Sequence, residues 1–294
     1  MASLKEIRAR ISSVKSTMKI TSAMKMVSAA KLHKAENTCL KFLPYKNKLS
    51  ESLSNYISST DIDITIPLAE EREVKRVAII IFSSNSGLCG TFNSNIIKLF
   101  NETVNSYSSI GKENILIYTV GKKITDYVNK SEYTLVKSFS ELYDAPTYAE
   151  TEKIANRIGD KFINKEVDRV ELIFNHYKNA GVQIPTREIL LPLKKAEQYT
   201  KGSKQKQNVY LVEPSKEEFL RGLVPAVVRT QVYGTLLDSL TAEHGARTTA
   251  MQIASENAEE MISTITQQYN KVRQEVITNE ILDIVGGSEA LRNK

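Results

Sequence analysis

The chain has 294 residues, 41% of them hydrophobic, and a formal net charge of +6. This length supports one or two domains with cores of their own, and no stretch approaches the roughly 18 consecutive apolar residues that a membrane-spanning helix needs. Two cysteines and three scattered histidines argue against a disulfide framework or a zinc site. We therefore expect no metal, no cofactor and no membrane attachment except through a partner.

Residues 1–58 carry the pattern of one long helix. Five apolar residues recur at alternating steps of three and four, the period of a coiled coil: Leu4, Ile7, Ile11, Val14 and Met18. The next apolar residues, Ile20, Met24 and Val27, sit one position off this pattern. The sequence therefore predicts that the seam changes phase here and turns toward the alanines at 29–30.

The same segment is strongly basic. It holds eleven Lys or Arg and three Glu, a local charge of +8, whereas residues 215–285 hold six Lys or Arg and ten Asp or Glu, a local charge of −4. Basic residues at helical spacing without interleaved aromatics favour a helix that faces acidic protein over one that binds nucleic acid. The first proline of the segment, Pro44, predicts a bend.

Residues 75–213 alternate between strand and helix patterns. Strands are predicted at 76–83, 114–120, 133–138, 169–177 and 183–193, and helices at 93–107, 121–129 and 148–164. This alternation predicts a small Rossmann-like α/β domain whose sheet is mainly parallel, with an antiparallel edge formed by a hairpin through 179–181. Residues 194–208, rich in Lys, Gln and Ser, predict a flexible connector.

Residues 215–287 carry a clearer heptad pattern. Its seam extends over more than three heptads: Met251, Ser255, Ala258, Ile262, Ile265, Tyr269, Val272 and Val276. We predict a helix that begins just after Pro225 and ends at the glycines 286–287. Gly245 within it marks either close packing or a compliant point. Five later apolar residues surround the helix, which predicts an enclosing partner: Ile277, Ile281, Leu282, Ile284 and Val285.

Two such helices at opposite ends of the chain predict an antiparallel coiled coil. Each would contain roughly 55 to 60 residues and span roughly 80 to 90 Å at about 1.5 Å per residue. The average helix in globular domains has about 11–12 residues. The predicted fold class is therefore α/β plus a long antiparallel two-helix coiled coil formed by the N- and C-terminal helices. The predicted domains are 1–58, 75–213 and 215–287.

The turn after the first predicted strand contains Gly87, Leu88, Cys89 and Gly90. A glycine turn before a helix can bind phosphate through free backbone amides. However, neither the three-glycine dinucleotide motif nor the Gly-Lys-Ser/Thr loop is present. We interpret the segment as a structural turn whose helix is capped by Thr91 or Asn93. Cys89 has no histidine near it in sequence, which favours a small buried residue over a nucleophile, and no catalytic residue is predicted.

Three stretches of the chain resemble the ATP synthase gamma subunit family. Residues 5–31 resemble the family's N-terminal helix signature, and Ser-Gly-Leu-Cys-Gly at 86–90 resembles its motif after the first strand. Residues 269–287 resemble its C-terminal signature, and residues 231–233 and 246–251 extend the likeness. The stretches follow the family's order across the whole chain.

The resemblance implies a non-catalytic central stalk. In that family the stalk turns inside a hexamer of three alpha and three beta subunits and couples proton flow through a ring of c subunits to ATP synthesis or hydrolysis. Contacts with alpha and beta subunits are implied for Met24, Lys25, Arg273, Gln274, Thr278, Glu280, Ile281, Leu282, Ile284 and Val285. A foot that includes Tyr210 is implied to contact the c-ring and the epsilon subunit, and the delta subunit is a further implied partner.

The N-terminus lacks the pattern of a transit peptide. With the resemblance, this predicts a bacterial chain at the cytoplasmic side of the plasma membrane, peripheral to it. Two alternatives stay open. An α/β nucleotide-binding enzyme with helical oligomerisation arms would need a pocket at the carboxyl ends of the strands. A coiled-coil scaffold or nucleic-acid binder would use the basic first helix.

Overall fold

The computed structural model describes residues 3–59, 66–193, 213 and 215–292. Its main elements are α1 (Leu4–Ser59), β1 (Val77–Phe82), α2 (Phe92–Asn105), β2 (Ile115–Val120), α3 (Lys122–Val128), β3 (Thr134–Ser138), α4 (Ser140–Asp144), α5 (Tyr148–Ile163), β4 (Arg169–Asn179), β5 (Val182–Leu191) and α6 (Lys216–Arg292). The predicted connector at 194–208 lies outside the described residues.

The chain divides into two compact units. The terminal coiled coil comprises the chain up to Val27 and from Thr248 onward, and the α/β unit comprises Ser28–Arg247. Residues 28–59 of α1 and 216–247 of α6 thus belong to the α/β unit, because they pack in the same core as the sheet. The three domain boundaries given by the sequence remain a prediction.

The α/β unit is built on a five-stranded sheet with the order β3-β2-β1-β4-β5. β1 pairs in parallel with β2 and with β4, and β2 pairs in parallel with β3. Among the strands of the described residues, β4 and β5 alone pair antiparallel, as a hairpin. The mainly parallel sheet with one antiparallel edge confirms the fold class predicted for this part of the chain.

The central strand β1 is buried along its whole length, and its two faces pack on different helices. Even-numbered positions of β1 join a core with α5 and with the parts of α1 and α6 in this unit. Odd-numbered positions join a core with α2 and α3. Side chains alternate between the faces of a strand, so a continuous apolar run is what a strand covered on both faces requires.

Both predicted ends of α6 are wrong. The helix begins at Lys216, where Ser215 Oγ accepts the backbone N–H of Glu218 at 3.2 Å, an N-terminal cap. Pro225 lies inside the helix, because the burial of Leu220 and Val224 just before it outweighs the backbone hydrogen bond that proline removes. At the other end α6 continues through the glycines 286–287, where glycine permits a helix stop without requiring one.

Gly245 marks close packing, one of the two alternatives predicted for it. A Cβ at this position would lie 3.0 Å from Tyr177 Cε2 and 3.2 Å from the backbone Cα of Ala180, so the β4–β5 hairpin approaches α6 closely here. Hydrogen bonds to α1 and α6 hold the hairpin in place. Tyr177 Oη donates to Glu36 Oε1 at 2.6 Å, and the backbone N–H of Tyr177 donates to Asp238 Oδ1 at 2.8 Å.

An ion pair between buried Glu171 and partly exposed Arg187 joins β4 to β5. Glu171 is fully buried, and its carboxylate accepts from Arg187 at two atoms, Nε at 2.7 Å and Nη2 at 2.9 Å. Tyr107 Oη donates to the same carboxylate at 2.5 Å. A buried carboxylate is stable only when its oxygens are satisfied, and here all three donors converge on it.

We expect Glu171→Gln to lower the free energy of unfolding by about 1.5 to 3 kcal/mol, because the buried amide replaces the charge-assisted hydrogen bonds from Arg187 and Tyr107 with weaker ones. Urea denaturation followed by circular dichroism measures the change. The exposed Glu102 on α2 supplies the control, and Glu102→Gln should change stability by less than about 0.5 kcal/mol. Equal effects of the two substitutions would contradict the role given to the ion pair.

Asp168 ties the start of β4 to the segment before β1. Its carboxylate accepts the backbone N–H groups of Arg76 at 2.9 Å and Lys75 at 3.0 Å, and Arg72 Nε donates to it at 2.7 Å. Burial alone would raise the pKa of Asp168, but these three donors stabilise the ionised form more and hold its pKa below the ordinary value.

Because the pKa of Asp168 is depressed in the fold, its stabilising effect is fully present above the unfolded-state pKa of about 3.9 and is lost as the pH falls through the lower folded value. We expect Asp168→Asn to lower stability by about 1 to 2 kcal/mol at neutral pH and to flatten the acid limb of the stability profile. Urea titrations between about pH 6 and pH 2 test this. Asp160→Asn, at an exposed position of α5, should keep the parent profile.

Candidate functional site

The terminal coiled coil buries the predicted seam as far as Val272, whereas Val276, the last predicted seam position, is exposed. On α6, Met251, Ala258 and Ile265 are 4%, 7% and 4% exposed, and the seam positions between and after them are half-buried as far as Val272. The two helices run antiparallel, because Thr21 contacts Ser255 whereas residues 6–10 line a groove together with residues 265–275. This confirms the predicted antiparallel pairing.

The predicted phase change in α1 is wrong. Ile20 and Val27 are 60% and 58% exposed, and the buried and half-buried positions continue at steps of three and four through Thr21, Lys25 and Ser28. Thr21 Oγ1 lies 2.8 Å from Ser255 Oγ, and Lys25 Nζ donates to Gln252 Oε1 at 2.6 Å. A phase shift would require α1 to overwind or unwind, so polar residues that can hydrogen-bond occupy the seam instead.

The sequence-predicted contact residues fall into two groups. Met24 and Lys25 are half-buried in the coiled coil, and Lys25 is held by Gln252. Four others lie on α6 and are exposed: Arg273, Gln274, Thr278 and Glu280. Tyr210, the predicted foot residue, lies outside the described residues. The structure therefore gathers the predicted residues along one rod rather than into a pocket.

The last described turns of α6 form an exposed apolar tip. From Val276 to Val285 the apolar side chains are 36% to 72% exposed, the highest value being that of Ile284. Ile7 on α1 already lies beside Val272 and Glu275, so α1 begins within about one helical turn of this level. The other tip residues are Ile277, Ile281, Leu282 and Val285. An apolar surface of this kind marks a site for a partner.

The basic face of α1 is directed to solvent. Arg8, Arg10, Lys15 and Lys19 are all exposed. Within the part of the chain that the structure describes, no ion pair joins a basic residue of α1 to an acidic residue of α6, and the coiled coil is held by apolar contacts and neutral or single-charge hydrogen bonds. These cations remain available to acidic groups of another protein.

In the α/β unit, the turn after β1 has left-handed backbone at Leu88 (φ 63°) and Gly90 (φ 59°). Cys89 between them is buried, which raises the pKa of its thiol and agrees with the non-nucleophilic interpretation. The predicted capping is wrong. Thr91 makes no capping hydrogen bond with its side chain, and Asn93 Oδ1 instead accepts the backbone N–H of Ser84 at 3.1 Å.

Sequence reasoning missed Arg247, which fixes this turn to α6. Its Nη2 donates to Ser86 Oγ at 2.9 Å, to Ser86 O at 3.3 Å and to Gly87 O at 3.2 Å, and its Nη1 donates to the Glu243 carboxylate one helical turn earlier. Both side chains are buried, with 10% and 5% of their side-chain surface exposed. The opposite charges four residues apart, flanked by Ala242 and Ala246, were the available sequence signal.

At the carboxyl ends of the parallel strands, where Rossmann-like folds bind ligands, the chain's own polar groups bond to one another. In the first turn of α3, the backbone N–H of Ile124 donates to Ser83 Oγ at 3.0 Å, and the backbone N–H of Lys122 donates to Asn85 Oδ1 at 2.9 Å. Gly121 has φ 111°, and a Cβ there would lie 2.0 Å from Ser83 O. The amides that would cradle a phosphate are therefore already used.

Over the described ranges, no group of three His, Cys, Asp or Glu side chains is arranged to hold a metal ion. Likewise, none of the helices in those ranges combines the length and the apolar character that crossing a membrane requires.

The chain as a whole matches known proteins. A family model described as ATP synthase matches residues 3–291. The ATP synthase gamma chain of Bacteroides fragilis strain ATCC 25285 is 50% identical over 99% of this chain and 100% of its own length, and that of Bacteroides thetaiotaomicron is 47% identical over 98% and 99%. The chain belongs to the ATP synthase gamma-chain family. The gamma chain of Flavobacterium psychrophilum is 45% identical over 99% of this chain and 100% of its own.

Chains of solved mitochondrial ATP synthase structures share the fold. A chain from the Euglena gracilis mitochondrial ATP synthase covers 98% of this chain and 94% of its own length, with a TM-score of 0.68 at 18% identity. A chain from the Tetrahymena thermophila mitochondrial ATP synthase central stalk and c-ring has a TM-score of 0.58 at 23% identity and covers 80% of this chain and 99% of its own. At these identities the likeness establishes the fold alone.

The tip and the seam should differ in their effect on folding. We expect the double substitution Leu282→Ser, Ile284→Ser to change the free energy of unfolding by less than about 0.5 kcal/mol, because both side chains are more than half exposed. Ile265→Ser, at a buried seam position, should cost about 2 to 3 kcal/mol. Thermal and urea unfolding of the isolated chain compare them. A loss at the tip as large as that at the seam would show that the tip packs within this chain.

Proposed function

We propose that the chain is the rotating central stalk of an F-type ATP synthase. It turns inside a hexamer of three alpha and three beta subunits and couples proton flow through the c-ring to ATP synthesis or hydrolysis on the beta subunits. One observation carries the proposal: α6 continues past its partner helix as an exposed apolar tip, in a chain whose gamma-chain relatives match over nearly its full length. An apolar surface without a stripe can turn inside an enclosing sleeve without a preferred angle.

The contacts with alpha and beta subunits are assigned to three levels along α6 and α1. Residues 281–285 would meet the sleeve at the end of the hexamer, and Arg273, Gln274, Thr278 and Glu280 would contact the catalytic subunits below it. All of them are exposed and thus accessible to another chain. Lower down, the exposed cations of α1 suit acidic lever segments of the beta subunits. Met24 and Lys25 belong to this level, where half-buried side chains would transmit force into the coiled coil.

The mechanism is allostery by rigid rotation. An asymmetric rod in a ring with near-threefold symmetry presents a different face to each catalytic site, so its angle decides which site is open. The rod must resist twisting and must not bind any one site more tightly than the rotation step can overcome. The paired helices provide the resistance to twisting. The basic face of α1 and the apolar tip of α6 provide the contacts that must stay weak enough for rotation.

The remaining partners follow from the same role. The foot, including Tyr210, would contact the c-ring and the epsilon subunit, and the delta subunit completes the complex. The chain would lie at the cytoplasmic side of a bacterial plasma membrane, peripheral to it and attached through the c-ring. Catalysis would reside in the beta subunits and not in this chain.

The alternative of a nucleotide-binding enzyme is less well supported. It needs free backbone amides at the carboxyl ends of the strands, but Ser83 and Asn85 already accept the first amides of α3. The turn after β1 is likewise held by Asn93 and Arg247 rather than open to a phosphate.

We expect the chain to co-purify with alpha and beta subunits as one particle whose ATP hydrolysis depends on it. Co-expression with an affinity tag on the beta subunit, followed by size exclusion and an ATPase assay with and without this chain, measures both. A variant truncated after Glu280 should still assemble, because the seam up to Val272 is intact. It should dissociate about tenfold faster for want of the sleeve contact.

ATP hydrolysis by the isolated chain, or its persistent absence from the particle, would overturn the proposal. The Leu282→Ser, Ile284→Ser variant serves as the matched control for truncation, since it keeps the helix length and removes only apolar surface. If the truncated and the substituted variants dissociate as slowly as the parent, the tip is not a bearing surface.

A further inference from the structure

A cavity of about 400 Å³ in the α/β unit opens beside the buried pair Glu243–Arg247. Its wall is formed by α1, the turn after β1, the end of α4 and α6. The proposed rotary function makes no use of this cavity or of the ion pair. Glu243 is 4% exposed and Arg247 8% exposed, so both are charged groups held at the edge of a protein interior.

Arg247 acts as a clamp between two parts of the unit. Through Nη2 it holds the backbone carbonyls of Ser86 and Gly87, and the Ser86 hydroxyl, against α6. The clamped turn contains the left-handed residues Leu88 and Gly90 and covers the buried thiol of Cys89. A guanidinium remains charged at every pH relevant to proteins, so its burial depends on a counter-ion, and Glu243 is that counter-ion.

Several titratable and charged groups face Glu243 from the surrounding elements. Lys31 and Lys34 of α1 and Asp144 at the end of α4 line the same cavity, as does Tyr143, whose hydroxyl donates to Ser239 O at 3.3 Å. On its own helix, His244 has its pKa lowered to about 4 by burial and by Arg247, so it is neutral above that pH. Burial raises the pKa of Tyr143 well above its ordinary value and that of the Cys89 thiol as well, so both stay protonated.

We propose that Glu243 and Arg247 form a proton-sensitive latch, in which uptake of one solvent proton by the Glu243 carboxylate frees Arg247 from the turn at Ser86 and Gly87. The proton adds to the carboxylate and no other covalent bond forms or breaks. The neutral carboxyl no longer compensates the buried guanidinium, and the cavity gives that charge a short path to water. The turn that it held then opens and exposes Cys89.

The direction of titration agrees with this geometry. Burial raises the pKa of Glu243 above that of an ordinary carboxyl, and the opposing effects of Arg247, Tyr143 and Lys31 do not cancel the increase. Glu243 therefore takes up its proton at a higher pH than exposed carboxylates do. The latch would open at a pH above that at which exposed carboxylates take up protons, while the sheet remains folded.

The buried thiol of Cys89 reports on the latch. In the full-length chain carrying Cys39→Ser, Cys89 is the sole thiol. Its protection factor is the rate at which the urea-unfolded chain reacts with 4,4′-dithiodipyridine, divided by the rate for the folded chain at the same pH. Because both rates are measured at one pH, the titration of the thiol itself cancels. We expect this factor to fall about tenfold between about pH 7.5 and pH 5. With Glu243→Gln added, it should be low at both pH values and independent of pH.

Two controls make the result decisive. Asp144→Asn, at the other carboxylate of the cavity, should keep the full pH dependence of the parent. Hydrogen exchange of the β1 amides should stay slow in every variant, which distinguishes a local opening from global unfolding. The proposal is overturned if protection in the parent does not change with pH, if Glu243→Gln keeps the parent's pH dependence, or if β1 loses protection in step with Cys89. None of these measurements requires the other subunits, so their outcome is separate from that of the proposed rotary function.

Discussion

The pairing of α1 with α6 is the constraint on which the rest of the structure depends. Isolated helices gain little stability in water, and helices of 56 and 77 residues stay ordered because each covers a face of the other. The buried face of α1 keeps steps of three and four from Leu4 to Tyr56. Among the described residues, this face packs on α6 in the terminal coiled coil, whereas in the α/β unit Leu53 and Tyr56 also join the core beneath the sheet. One repeat thus serves two kinds of packing.

Keeping this repeat unbroken has consequences at particular residues. Where seam positions are polar, as at Thr21 and Lys25, hydrogen bonds to Ser255 and Gln252 replace apolar contact. Where the helices approach closely, glycine provides the room: a Cβ at Gly234 would lie 3.3 Å from Phe42 Cε1. Each glycine inside a helix costs about 1 kcal/mol of helix propensity relative to alanine. Long helices tolerate that loss because cooperative packing on either side supplies most of their stability.

The sequence was sufficient to predict the elements that depend on periodicity. The heptad seam of α6 from Met251 to Val272, the parallel strands and the hairpin all follow from local pattern, and the structure confirms them. What local pattern could not predict depends on tertiary contacts. The apolar Ile20 and Val27 suggested a phase change because sequence alone does not indicate which face the partner covers. Pro225 suggested a helix start because the backbone hydrogen bond that proline removes can be inferred from the sequence. The burial of Leu220 and Val224, which compensates for that loss, cannot. Arg247 was missed because its partners at Ser86 and Gly87 lie about 160 residues away.

The α/β unit illustrates how a ligand-binding fold can serve a mechanical role. In this architecture the carboxyl ends of parallel strands normally leave helix amides free for a ligand. Here short polar side chains, Ser83, Asn85 and Asn93, occupy those amides or brace the turn above them. Each such bond replaces an exchangeable ligand with a permanent internal contact, so the strand ends gain stiffness and lose the capacity to bind. For a domain that must pass torque to two helices without yielding, that exchange favours function, because a crevice that opens and closes would absorb the motion it has to transmit.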